Sequence, residues 1–197
     1  MTAPSGTGKT TVAKLVFERF ENLRFSVSHT TRPGRAGEQH GRSYYFIGDA
    51  EFDVMVEENA FAEWAHVHKR RYGTSRAEVQ RLLSEGYDIL LDVDVQGARN
   101  LRKVYPDAIS IFLLPPSMAE LSRRLTGRGT ESDDQVTTRL NTARDEVMDA
   151  KDFDFVIVNE DIERAALAFG SIIESRPTSS AKRHDHIEHL VTEMLTT

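Results

Sequence analysis

Residues 3–11, which read APSGTGKTT, constrain this chain more than any other stretch. They match the phosphate-loop pattern G-x-x-x-x-G-K-[ST], except that Ala3 replaces the first glycine. Gly6 and Gly8 let the backbone wrap a phosphate, and a helix predicted over residues 9–20 adds its positive N-terminal end. A plain helix-capping turn would not require a lysine and a threonine at these two places. We therefore predict that Lys9 contacts the β- and γ-phosphates of a nucleotide and that Thr10 binds Mg²⁺.

Short apolar runs alternate with helical patterns along the rest of the chain. Three of these runs, at residues 87–94, 111–116 and 153–159, end in carboxylates, prolines or an asparagine. This alternation predicts an α/β fold with a parallel sheet covered by helices on both faces. Because sites in such sheets lie at the carboxyl ends of the strands, we expect the phosphate loop, Asp92, Asp94 and Asn159 to converge. We also predict strands at 25–28, 43–47 and 61–67, and helices at 50–57, 76–84, 97–104, 118–125, 136–148 and 162–175.

Composition narrows the classes of function. The 25 basic and 31 acidic residues leave a net charge of −6, which argues against non-specific nucleic-acid binding. Cysteine is absent, so disulfides and thiolate metal sites are excluded. No apolar stretch approaches the roughly 18 residues of a membrane span, and no signal peptide is visible, so we predict a cytoplasmic enzyme. We expect one domain over residues 1–175, followed by a polar tail (176–197) whose last part has the pattern of a short amphipathic helix.

Two further segments contain groups suited to a second ligand. Arg32 and Arg35 flank a Pro-Gly turn, and a pair of guanidinium groups can clamp a monophosphate, with hydroxyl groups from Tyr44 and Tyr72. A solvated basic loop is the alternative. Glu63 lies in an apolar strand, where a carboxylate needs a donor partner. That partner is either a structural cation or the N1–H and 2-amino group of a guanine.

Taken in order, these segments resemble the guanylate kinases. The resemblance is carried by FSVSHTTRPGRAGEQHG, FAEWA, RYGTS, LDVDVQGA, LLPPS, RLTGRGT and VIVNED, and it extends from Ala3 to about Ile173. It implies a P-loop kinase with a core, a GMP-binding lobe (residues 32–85) and a lid (residues 126–136). It also implies transfer of the γ-phosphoryl group of ATP to GMP, with Mg²⁺ as cofactor and ATP and GMP as small-molecule substrates.

The resemblance also implies a role for individual residues. Arg124, Arg128 and Arg139 would join Lys9 in neutralising the transferring phosphoryl group, and Asp94 would order the water shell of Mg²⁺. The ATP site would comprise Ala3, Pro4, Ser5, Gly6, Thr7, Gly8, Lys9, Thr10, Thr11 and Asn159. The GMP site would comprise Ser28, Arg32, Arg35, Tyr44, Glu63, Tyr72, Thr74 and Asp92.

The chain departs from this family at its beginning. Guanylate kinases have an apolar strand directly before the phosphate loop, and here only Met1 and Thr2 precede it. We expect the strands near 88–92 and 110–114 to lose a shared neighbour, and we hypothesise that a short N-terminal segment is missing. The rival functions are a catalytically inactive guanylate-kinase-like binding module and a P-loop kinase for another phosphorylated small molecule. Retention of Lys9 and Thr10 argues against the first rival.

Overall fold

The computed structural model describes residues 1–67, 69–127 and 133–175, with the backbone alone at residue 133. The predicted tail (176–197), Arg128 and part of the predicted lid lie outside these residues. The helices are Lys9–Arg19 (α1), Asp49–Glu57 (α2), Arg76–Ser84 (α3), Val95–Val104 (α4), Met118–Thr126 (α5), Asp133–Met148 (α6) and Ile162–Glu174 (α7). The strands are Leu23–Phe25 (β1), His29–Thr30 (β2), Tyr45–Phe46 (β3), Phe61–Val67 (β4), Arg70–Ser75 (β5), Asp88–Leu90 (β6), Ile111–Leu114 (β7) and Phe155–Val158 (β8).

Parallel strands form the core, as predicted, but they come in two separate pairs. Strand β1 pairs with β6, and β7 pairs with β8. The first two residues bridge the gap between the pairs. The Met1 ammonium donates to the Leu91 carbonyl at 2.8 Å, and the Thr2 amide donates to the Ile111 carbonyl at 2.9 Å. Within the described ranges, strands β6 and β7 therefore lack a full shared neighbour, as the sequence led us to expect.

Apolar side chains of the helices pack on both faces of β7. On one face, Val12 and Val16 of α1 and Phe169 of α7 are buried in the same cluster as Leu113 of β7. On the other face, Phe112 packs with Val95 of α4. Adjacent residues of a strand point to opposite faces, so Phe112 and Leu113 anchor the two helical layers.

A second, mixed sheet with strand order β3-β2-β5-β4 forms the lobe that carries Glu63. The predicted strand at 25–28 is wrong, because the extended chain divides into β1 and β2, which belong to different sheets. The segment Arg70–Ser75 was not predicted as a strand, since arginines and a glycine conceal its pattern. It is β5, which pairs antiparallel with β4. Arg71 fastens α2 to this sheet through Asp49 (2.9 Å) and Asp53 (2.5 Å).

Polar side chains set the starts of four helices. Ser75, Asp94, Ser117 and Asp161 each accept a hydrogen bond from a backbone amide in the first turn of α3, α4, α5 and α7. Asp94 thus starts α4 at Val95, two residues earlier than predicted. Helix α6 starts at residue 133 rather than 136. These caps fix the helices that frame the carboxyl ends of the core strands.

Candidate functional site

The phosphate loop has the curled backbone that its glycines predict. Gly6 and Gly8 have φ angles of 93° and 100°, a region that residues with a Cβ atom rarely adopt. Space is restricted as well, because a Cβ atom at Gly8 would lie 2.7 Å from the Asn159 side-chain nitrogen. The two glycines therefore serve both the conformation of the loop and its close packing.

Two side chains hold the loop from the protein interior. Asn159 is fully buried, and its side-chain amide donates to the Thr7 carbonyl at 2.7 Å. Arg124 donates to the same carbonyl at 3.1 Å and to the Asn159 carbonyl at 3.3 Å. Glu120 orients this guanidinium through its Nε at 2.8 Å. Asn159 thus supports the loop; a direct contact with ATP stays a prediction.

The loop opens onto a cleft of about 1120 Å³. The opposite wall belongs to the second sheet, and helix α6 closes a third side. Of the predicted site residues, the following line the cleft: Ala3, Pro4, Ser5, Gly6, Gly8, Lys9, Thr10, Thr11, Ser28, Arg35, Tyr44, Glu63, Tyr72, Asp92, Asp94 and Arg139. The structure therefore brings the phosphate loop and the predicted second ligand site to one cavity. Thr7, Arg32, Thr74, Arg124 and Asn159 contribute from behind its surface, through the contacts given above and below.

Lys9 and the two aspartates after β6 all line the cleft. The Lys9 ammonium forms an ion pair with the Asp92 carboxylate. Asp94 accepts a hydrogen bond from the Gly97 amide at 2.7 Å as the N-cap of α4, a second role that the sequence analysis missed. The capping bond fixes the Asp94 side chain at the edge where Thr10 also lies.

Glu63 and Thr74 form a buried polar pair on adjacent strands. The register of β4 and β5 places these two residues opposite each other, and the Thr74 hydroxyl donates to Glu63 Oε1 at 2.6 Å. Both residues are at most 8% exposed. Burial raises the pKa of Glu63, while the Thr74 hydrogen bond opposes that shift. No salt bridge to Glu63 is present in the described part of the chain, which disfavours the structural ion pair considered above.

The predicted phosphate clamp is organised by a residue that the sequence analysis missed. Glu38 accepts from the Arg32 guanidinium at 2.8 Å and from the Arg35 backbone amide at 2.7 Å. The hydrogen bond from Arg32 lowers the pKa of the Glu38 carboxyl. Arg32 also donates to the Tyr72 hydroxyl at 3.2 Å, and Tyr72 lies edge-on to Tyr44. A carboxylate six residues after an arginine in a loop gives no sequence signal for this contact.

Helix α6 supplies the remaining charged groups of the cleft. The Arg139 guanidinium contacts the Ser5 hydroxyl of the phosphate loop. Glu146 lies two helical turns after Arg139 and also lines the cleft, a residue that the sequence analysis missed. Burial raises the Glu146 pKa to about 7, with Asp94 adding to the shift and Lys9 opposing it. In the sequence, the signal that could have identified Glu146 is its spacing of seven residues from Arg139 on the same helix.

The protein oxygens in the cleft suit a Mg²⁺ ion that takes most of its ligands from water and substrate phosphates. Among the described residues, no group of three or more histidine, cysteine, aspartate or glutamate side chains could hold a metal ion. Mg²⁺ is commonly bound by one or two protein oxygens together with water and substrate phosphates. Thr10 and Asp94 at the edge of one cleft match that requirement. Over the same described residues, no helix is both long and apolar enough to span a membrane.

Comparison with known proteins identifies relatives over nearly the whole chain. The family model described as Guanylate kinase matches residues 1–176. A protein from Polaromonas sp. named guanylate kinase is 45% identical over 187 residues, which is 94% of this chain and 91% of that protein. One of the same name from Thermotoga maritima is 43% identical over 191 residues, which is 97% of this chain and 92% of that protein. The crystal structure of guanylate kinase from Anaplasma phagocytophilum superposes with a TM-score of 0.73 at 32% identity, covering 95% of this chain and 91% of that one.

Proposed function

This chain belongs to the guanylate kinase family, and from that premise we propose that it transfers the γ-phosphoryl group of ATP to GMP, giving ADP and GDP. One observation carries the proposal. The phosphate loop, which carries Lys9, and the buried carboxylate of Glu63 face each other across one cleft. A cleft with these two walls suits the alignment of two nucleotides. The cytoplasmic location stays a prediction.

The ATP phosphates would occupy the curled loop. Backbone amides near Gly6 and Gly8 and the N-terminus of α1 all favour an anion there. The Lys9 ammonium would exchange its Asp92 partner for the β- and γ-phosphate oxygens. Arg124 and Asn159 would act on ATP indirectly, because both hold the Thr7 carbonyl and so the shape of the loop.

GMP would occupy the opposite wall. Glu63 accepts hydrogen bonds, and guanine presents the N1–H and the 2-amino group as donors. Adenine presents an acceptor at N1 and no 2-amino group, so a buried carboxylate would be left unpaired. A site built on such hydrogen bonds can reject the wrong base by about 10⁴-fold or more. Arg32, Arg35, Tyr44 and Tyr72 would hold the GMP phosphate, with Glu38 orienting the Arg32 guanidinium and holding the Arg35 backbone.

Thr10 and Asp94 would hold Mg²⁺ together with the phosphates of ATP. When bound, the ion supplies charge neutralisation and orients the phosphate oxygens. The chain's own contribution is alignment, since an oxygen of the GMP phosphate attacks the γ-phosphorus in line with the departing ADP oxygen. The acceptor is already an anion, so no side chain needs to remove a proton from it. Arg139, beside Ser5, would face the charge that builds up during transfer.

The test is ADP formation from Mg·ATP with GMP, AMP, CMP and UMP as separate acceptors. We expect turnover with GMP alone. Lys9→Ala should reduce the rate by at least about 10³-fold, the lower end of what a cation on the transferring phosphoryl group is worth. Lys14→Ala is the matched control, because Lys14 lies on the exposed side of the same helix and pairs with Glu18. Excess EDTA should abolish turnover.

The outcomes separate the rival functions. Folded protein that binds GMP without forming ADP would contradict the proposal and favour a binding module. Turnover with another acceptor and none with GMP would favour the related kinase. Equal rates for wild type and Lys9→Ala would show that the phosphate loop does not act as proposed.

A further inference from the structure

Glu146 is a carboxylate in the nucleotide cleft that nothing in the proposed phosphoryl transfer uses. It lies on α6 about two helical turns after Arg139, and both side chains line the cleft. Because Arg139 contacts Ser5 of the phosphate loop, this side of α6 faces the region that would hold the phosphates of ATP. Glu146 is partly buried there. A partly buried carboxylate in a cleft for two anionic nucleotides needs a physical explanation.

Glu146 differs from the other four acidic residues that line the cleft. Glu63, Asp92 and Asp94 each have a protein partner, and Asp134 is exposed to solvent. Within the described part of the chain, no group donates a hydrogen bond to Glu146 or forms an ion pair with it. Burying a carboxylate is costly unless a donor or a cation satisfies it. This arrangement points to a partner that arrives with the substrates.

The charged groups around Glu146 locate it near the phosphates of ATP. Burial raises its pKa to about 7, Lys9 opposes that shift, and Asp94 and Asp149 add to it. Lys9 is the group that we assign to the β- and γ-phosphates, and Asp94 is one of the two that we assign to Mg²⁺. The ribose of ATP is attached beyond the α-phosphate, so a ribose hydroxyl suits Glu146 less well than a donor in the phosphate region.

The partner must also reconcile a carboxylate with anionic phosphates, because like charges repel each other in a cleft that excludes water. Mg²⁺ usually keeps several water ligands when it binds substrate phosphates. Those waters are hydrogen-bond donors, and carboxylates that accept from the ligands of a metal ion orient those ligands. A water ligand of Mg²⁺ would therefore satisfy the Glu146 carboxylate, and the charge of the ion would offset its repulsion from the phosphates.

We propose that Glu146 is a positioning residue that accepts a hydrogen bond from a water ligand of Mg²⁺ when ATP is bound. The inference rests on the proposed function, because it takes from there the Mg²⁺ site at Thr10 and Asp94. Glu146 acts on the water shell from α6, whereas Asp94 acts from the end of β6. Its contribution is to the affinity of the ATP complex for the ion, and it makes no contact with the phosphates.

The test is the affinity for β,γ-methylene-ATP, which cannot be cleaved at the γ-phosphate, measured by isothermal titration calorimetry in Mg²⁺ and in excess EDTA. The ratio of the two dissociation constants reports what the ion adds to binding, without any turnover. We expect Glu146→Gln to weaken binding in Mg²⁺ at least about tenfold, because losing a group that orients metal ligands typically lowers metal affinity about 10- to 100-fold. Binding in EDTA should be unchanged.

Two further variants separate the hydrogen bond from the charge of Glu146. Asp145→Asn removes the same charge from the neighbouring, exposed position of α6, and it should leave both affinities unchanged. Glu146→Asp keeps the charge and shortens the side chain by one methylene group. We expect it to weaken binding in Mg²⁺ and not in EDTA, so it also tests the proposal if Glu146→Gln does not fold.

The outcomes distinguish this inference from the proposed function. Equal losses of affinity in Mg²⁺ and in EDTA would show that Glu146 acts on the nucleotide or on Lys9, and would overturn the inference alone. Unchanged binding of Glu146→Gln in Mg²⁺ would also overturn the inference alone. Absence of β,γ-methylene-ATP binding by the wild-type protein in both conditions would overturn the inference together with the proposed function.

Discussion

At the scale of single residues, the candidate site depends on a carboxylate whose environment prepares it for a donor ligand. Glu63 is buried and accepts a hydrogen bond from the Thr74 hydroxyl, and its second oxygen lies 3.0 Å from where a Cβ atom at Gly97 would lie. A carboxylate has two acceptor oxygens, so Glu63 can accept further hydrogen bonds besides the one from the Thr74 hydroxyl. Glu63 lines the cleft, and its carboxylate is the group that we assign to base selection.

Glu63→Gln tests that assignment. Glutamine would turn a donor toward the two donors of guanine, so we expect kcat/KM for GMP to fall about 10- to 100-fold, because hydrogen bonds to a charged group are worth about 1.5–3 kcal/mol. The wild-type protein should also prefer GMP to IMP, which lacks the 2-amino group, and the variant should lose that preference. Steady-state kinetics with both substrates measure this.

Glu57→Gln is the matched control for Glu63→Gln, because Glu57 is exposed at the end of α2 in the same lobe. It should leave both rates unchanged. An unaltered preference for GMP over IMP in Glu63→Gln would assign guanine recognition to other residues.

Gly8→Ala should destabilise the chain as well as impair the loop. Gly8 has a φ of 100°, and the added methyl group would lie 2.7 Å from the Asn159 side-chain nitrogen. Gly37→Ala separates the two causes, since Gly37 has a φ of 86° with no atom within 4 Å of the added carbon. We expect Gly8→Ala to lower the free energy of unfolding, measured in urea, by about 1–2 kcal/mol more than Gly37→Ala does. Equal losses would show that Asn159 moves aside freely.

Local sequence could identify the loop residues and could not identify the groups that orient them. Lys9 and Thr10 follow from a contiguous pattern, because the chemistry of the loop is set within eight residues. Glu38 and Glu120 act through contacts that form on folding, and each looks like an ordinary surface acid in the sequence. The assignment of Arg32 to the clamp is therefore incomplete without Glu38.

At the scale of elements, the strand that the sequence analysis missed forms part of the wall to which we assign guanine binding. Strand β5 carries both Tyr72 and Thr74, with Gly73 between them. Its alternation is concealed because its buried position at Gly73 has no side chain. The Phe61 ring occupies the space above that glycine, with its nearest atoms 2.7, 2.8 and 3.0 Å from where a Cβ atom would lie.

Gly73→Ala should therefore lower the free energy of unfolding by about 1–3 kcal/mol, the range for overpacking a buried site. The Phe61 ring cannot easily move, because it is stacked on Phe52, whose ring is fully buried. Gly48→Ala is the matched control, since nothing lies within 4 Å of its added carbon and its φ is −76°. Urea unfolding of both variants measures the difference. A Gly73→Ala chain as stable as Gly48→Ala would show that the β4–β5 wall is plastic.

At the scale of the whole molecule, two parallel strand pairs are connected through Met1 and Thr2. The sequence predicted the parallel strands, the helices on both faces and the gap before the phosphate loop. It did not predict that these two residues occupy strand positions, because a dipeptide shows no periodicity.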